Sequence, residues 1–151
     1  MKYTALSEHL HQLREKLTRG AKPPGYRMSA MDIWLCALKS DLNNISDIRV
    51  LIDILPPGFE GLFVRFREND KEKVIIATGQ NLSHARQEFV ISKELMHCWS
   101  PPNSRVNSPD RAKALAEALS LSSPISAATF KDVQADRAAI MAAAEVILPH
   151  Y

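Results

Sequence analysis

The sequence predicts an α+β domain in which helices occupy both ends of the chain and a small antiparallel sheet lies between them. Two patterns carry this expectation. Leucines recur at spacings of three and four near the start and an alanine-rich helical stretch closes the chain, whereas the middle holds short runs of Val, Ile, Phe and Leu bounded by Pro, Gly and Asn. Such segregation argues against a doubly wound sheet, in which strands and helices alternate. Size supplies a third observation: 151 residues, 46% hydrophobic and 24% charged, suffice for one core but not for two ordinary ones. Residues 1–151 therefore read as a single domain.

About five helices accompany the sheet. Residues 4–18 place Leu6, Leu10, Leu13 and Leu17 on one stripe and leave Glu8, His9, Arg14 and Lys16 off it, which predicts an amphipathic helix. Pro23-Pro24 breaks it, and Ser29 with Asp32 offers an N-cap and a first-turn carboxylate to a second helix over 31–42. Residues 49–55 read as a strand or a short helix, ending at Pro56-Pro57-Gly58. Residues 61–66 and 73–77 flank the polar Glu68-Asn69-Asp70 and predict an antiparallel hairpin. Ser83 caps the next helix, whose buried face uses Phe89, Val90, Leu95 and Trp99, and Pro101-Pro102 stops it. Ser108-Pro109 starts a helix through 121, and after Ser122-Ser123-Pro124 a last helix spans 130–148, ahead of Pro149.

Composition narrows the partners. A formal charge of +2, with Glu8, Glu15, Asp32, Asp41 and Asp70 close to the basic residues, leaves no basic stripe for a phosphate backbone, so direct nucleic-acid binding is not expected. No run approaches the ~18 apolar residues of a membrane span. The chain begins without an apolar leader, and its two cysteines, Cys36 and Cys98, fall inside expected helices. A cytoplasmic protein with free thiols is the expectation.

Lys93-Glu94-Leu95-Met96-His97 carries the most chemistry. In the H-E-x-x-H motif two histidines one helical turn apart reach one zinc ion, and the glutamate acts as general base. Glu94 and His97 keep those places, but Lys93 stands where the first histidine belongs. An ammonium has three donors and no lone pair, so it repels a dication unless burial removes its proton. Cys98 points about 100° away from His97 and reads as a small buried residue. His84 reads as exposed near the helix start, His9 and His11 as solvent-facing, and Trp34 and Trp99 as packing residues rather than a substrate platform.

Together with the final helix, this segment resembles the ImmA/IrrE family of zinc metallopeptidase-like proteins. That family shows Arg-x-Phe-x-x-x-His-Glu-x-x-His after a small hairpin, and later an acidic residue, an Ala-rich stretch and Glu-Leu-Leu-x-Pro. Here Gln87-Glu88-Phe89 precedes the motif, and Asp136-Arg137-Ala138-Ala139 leads to Glu145-Val146-Ile147-Leu148-Pro149. Counting back from the proline puts Asp136 on the family's third-ligand position. The resemblance covers residues 45–149, with residues 1–43 as N-terminal helices, and implies a zincin-like fold. The departures are Gln87 for the arginine, Lys93 for a ligand, Met96 for the usual glycine and Asp136 for glutamate.

Two donors, His97 and Asp136, fall short of the three protein ligands of a catalytic zinc site. The resemblance then implies a degenerate, catalytically inactive relative in which Lys93 pairs with Asp136 or Glu94, no zinc is tightly held, and the work is binding and regulating a protein partner such as a transcriptional regulator. The alternative is an active zinc-dependent endopeptidase with an altered site that cleaves a repressor-type protein, with Glu94 as general base and His97 and Asp136 as ligands. Two further readings are a groove-bearing interaction module of a prophage or toxin–antitoxin system, and an ordinary solvated helix face.

Overall fold

A computed structural model describes residues 28–40, 44–100 and 127–147, with Gln12, Glu15 and Lys16, and the side chains of the last helix from Asp136 onward. The element order is α1 (Ala30–Lys39), β1 (Ile45–Asp53), β2 (Gly61–Glu68), β3 (Lys71–Gly79), α2 (His84–Met96), a 3₁₀ turn (His97–Trp99) and α3 (Ala127–Ile147). The chain is α+β, with three helices and one three-stranded sheet among the described residues. Gln12, Glu15 and Lys16 have helical backbone, in keeping with the expected first helix, whose leucine stripe lies outside the described residues, as do His9, His11 and the helix expected at 108–121.

The sheet corrects one expectation. Strand order is β1-β3-β2, with β3 central; β2 pairs antiparallel with β3, but β1 pairs parallel, so the sheet is mixed. Residues 49–55, open between strand and helix in the sequence, belong to a strand that begins earlier, at Ile45. The reason is the connection: residues 54–60 carry the chain across the end of β3 instead of turning back beside β1. Pro56-Pro57-Gly58 makes the required turn, with Gly58 at φ 88° and Phe59 N–H donating to Pro56 C=O at 3.1 Å, as a type II turn demands. Gly79 N–H then donates to Glu60 C=O at 3.0 Å and Gln80 N–H to Asp53 C=O at 2.9 Å, clamping the end of β3 to both neighbours.

The hairpin follows the reading from sequence. Asn69 and Asp70, at φ 50° and 60°, form the two-residue turn with both centres left-handed that matches strand twist. Ile48, Val74, Ile76 and Thr78 share one face in register and are buried beneath the helices. Leu51, Val64 and Phe66 lie on the other face and are exposed.

Helix α1 starts with a complete capping box: the Ser29 hydroxyl accepts from Asp32 N–H, and the Asp32 carboxylate accepts from Ser29 N–H at 3.0 Å. Helix α2 is central to the helical layer, packing on α1, α3, β2 and β3. Leu95 and Met96 meet Ile33, Ala37, Val74, Ile76, Ala142 and Ala143 in one core. Val90, Leu95 and Trp99 are buried and Phe89 packs against the core, as their spacing predicts. Trp34 also packs there, and its indole N–H donates to Ile48 C=O at 3.1 Å, so it is an anchor between α1 and β1. Cys36 and Cys98 are buried free thiols; burial, with Asp32 nearby, pushes the Cys36 thiol up to about 11. No helix among the described residues is long and apolar enough to cross a membrane.

The hairpin turn gives a direct test. Asp70→Gly should raise the urea midpoint and Asn69→Val should lower it, the latter by about 1 kcal/mol, because a β-branched residue resists positive φ whereas Asn-Gly favours it.

Candidate functional site

Helix α2 presents Lys93, Glu94 and His97 at its C-terminal end, and α3 brings Asp136 to meet them. The cap that begins α2 is Ser83, whose hydroxyl accepts from Arg86 N–H. Several side chains then fix its position. Gln87 donates its amide to Gly79 C=O at 3.0 Å; Glu88 accepts from Ala30 N–H at the start of α1 at 3.3 Å; Arg86 pairs with Glu60. At the other end Arg65 of β2, 8% exposed, donates to Cys98 C=O at 3.1 Å while pairing with Glu72. The helix end is thus satisfied by a cation, as orphan carbonyls and the helix dipole favour.

Four predicted residues converge. Lys93 Nζ lies 2.8 Å from Glu94 Oε1 and 2.8 Å from Asp136 Oδ1, 43 residues away in sequence. His97 Nε2 lies 3.9 Å from Glu94 Oε2 and 3.8 Å from Asp136 Oδ1, so the imidazole borders the same carboxylates without a direct hydrogen bond to either. Its Nδ1 faces Ser100 Oγ at 3.5 Å, at the limit of a hydrogen bond, and its ring packs obliquely on Phe63 with centroids 5.7 Å apart. Glu94 is the most deeply placed of the four, its side chain 5% exposed against 41% for Asp136.

Electrostatics hold Lys93 charged. Burial alone would lower its pKa, but the attraction of Glu94 and Asp136 and the hydrogen bonds to both outweigh burial and raise it. Burial likewise pushes Asp136 up, but the adjacent His97 imidazole and the Lys93 ammonium pull it down to about 2. At neutral pH the site therefore holds an ammonium against carboxylate, with no lone pair on Lys93.

That donor set does not fit a zinc ion of the expected kind. Tetrahedral catalytic zinc needs three protein ligands and one open position, whereas the amine nitrogen here is protonated and occupies the space between the two carboxylates. Among the described residues no three His, Cys, Asp or Glu side chains form a metal-binding group. What the arrangement can do is hold a fixed, partly exposed cluster of charge and imidazole beside an edge strand.

Sequence reasoning missed three contributors. Gly61 is the closest: a Cβ there would lie 2.5 Å from Val90 Cγ1 and 2.7 Å from Glu94 Oε1, so only glycine lets β2 approach α2 at the glutamate. Phe63 and Arg65 alternate with it on the same face of β2. The Pro-Pro-Gly turn before Gly61 marked a loop, but the close approach depends on strand pairing. His84 is exposed, as expected of the helix start, and joins nothing here. Compared with protein-family models, with curated proteins and with solved structures, the chain matches none at a significant level.

Removing the ammonium should expose its role. Lys93→Met leaves Glu94 buried without its cation and should cost about 3–5 kcal/mol by urea denaturation, while Lys93→Met/Glu94→Gln should recover much of the loss; equal losses in the two variants would deny the pairing.

The pH dependence has a definite sign. Asp136 is depressed in the folded state, so its stabilisation is complete above its unfolded value of about 3.9 and fades as pH falls toward about 2. Solvent exposure reduces this to about 1 kcal/mol. Lys93 is raised, so its contribution is complete below about 10.4 and disappears as pH climbs through the folded value. The stability difference between wild type and Asp136→Asn should be flat from about pH 5 to 9 and shrink on either side.

Proposed function

We propose that the chain is a degenerate ImmA/IrrE-type, zincin-like protein that does not hydrolyse peptides and works by binding and regulating a protein partner of the transcriptional-regulator type. The single observation supporting this reading is the Lys93 ammonium within 2.8 Å of both Glu94 and Asp136. A monocation fixed on the protein stands in for a dication, so the carboxylates stay compensated and the site keeps its shape without a metal. No zinc is tightly held, because two donors remain where three are needed.

The partner meets the charged cluster with His97 and Phe63 packed beside it. Glu94, buried and bonded to Lys93 through Oε1, is engaged as the acceptor of an ion pair. Catalysis through Glu94 with His97 and Asp136 as zinc ligands is the competing reading, and it requires Lys93 to leave the position between the two carboxylates.

Elemental analysis of protein purified without chelators separates the two. Wild type should carry well under one zinc per chain, and Lys93→His, which restores the third donor, should bind zinc near one per chain. Stoichiometric zinc in the wild type, lost in His97→Ala, would favour the peptidase; no gain in Lys93→His would count against the family alignment.

A further inference from the structure

The outer edge of β1 has the pattern of a self-complementary strand, and we propose that two copies of this chain associate by antiparallel pairing of β1 with β1, centred on Leu51. The sheet order makes β1 an edge strand, nine residues long. Long edges with apolar side chains recruit another strand unless something blunts them. Here the second half of the edge is apolar and open: Leu51 is 48% exposed, Ile52 61% and Ile54, just beyond, 75%.

Backbone geometry fixes which residues can pair. In a parallel ladder alternate residues point both backbone groups at the neighbour. Asp53 C=O accepts from Gln80 N–H, so Asp53, Leu51 and Arg49 face β3. Ile48, Val50 and Ile52 therefore face outward, and the Ile48 carbonyl is already taken by the Trp34 indole. Among the described residues nothing pairs with the outward groups of Val50 and Ile52, which are left for a partner strand.

Charge then selects the register. Symmetric pairing that matches outward groups with outward groups must centre on a residue. Centring on Arg49 sets Arg49 against its own copy, and centring on Val50 sets Asp47 against Asp53, both like-charge pairs. Centring on Ile52 places Leu51 against Asp53. Only centring on Leu51 places Arg49 opposite Asp53 of the other copy, twice, in positions where side chains approach most closely, with Val50 hydrogen-bonded to Ile52 on both sides. Arg49 already pairs with Asp47 at 3.1 Å while 70% exposed, so its guanidinium keeps donors free for a second carboxylate.

The product is a six-stranded sheet with the helices of both copies on one face. β2 and the Lys93 cluster lie at the two far edges, so association leaves both clusters uncovered and makes the assembly bivalent.

Sedimentation velocity on the full chain, from about 1 to about 500 µM, reads the outcome. Wild type should show a concentration-dependent dimer. Arg49→Asp and Asp53→Arg should each weaken it about tenfold, because two attractive pairs become repulsive. The double variant Arg49→Asp/Asp53→Arg, and an equimolar mixture of the two single variants, should restore dimers. A wild type that stays monomeric over the range overturns the proposal, as does a dimer indifferent to both single changes. So does a double variant that folds by circular dichroism yet remains weakened.

Discussion

One ammonium group holds the end of the motif helix to the last helix. Lys93 Nζ touches Glu94 on its own helix and Asp136 on α3, and through these contacts a segment 43 residues downstream is fixed against the centre of the fold. A carboxylate as buried as Glu94 cannot remain ionised without a nearby cation except at a cost of several kcal/mol. Here that cation is a side chain. A dication polarises water and accepts lone pairs, whereas an ammonium only donates hydrogen bonds.

The sheet makes this arrangement possible by coming close. Gly61 removes the side chain that would collide with Val90 and Glu94, and Phe63 and Arg65, on the same face of β2, meet His97 and the carbonyl of Cys98. A single strand therefore borders the glutamate, the imidazole and the end of the motif helix. Positioning from the other side comes from Gln87 and Glu88, which tie α2 to the end of β3 and the start of α1. Gln87 docks the start of α2 on the end of β3 with a neutral amide.

The two edges of the sheet differ in what they offer. β2 runs beside a charged cluster, while β1 carries exposed aliphatic residues and the opposite charges of Arg49 and Asp53. Function placed at one edge and association at the other would not compete for the same backbone groups.

The sequence by itself determined the local elements. The Ser29 and Asp32 capping box, the Asn69-Asp70 turn, the Ser83 cap and the apolar spacing of Phe89, Val90 and Leu95 act within a few residues, so their signals are readable in one dimension. The grouping of Lys93, Glu94 and His97 on one helix end was legible for the same reason, and Asp136 was reached through a family resemblance. Only the tertiary structure decided that β1 lies parallel to β3, because that depends on where the loop at 54–60 travels. It also decided that Lys93 bonds both carboxylates at once, and that Gly61 lies against Glu94. Strand pairing and helix packing bring together groups far apart in the chain, and nothing in local spacing records how closely they will meet.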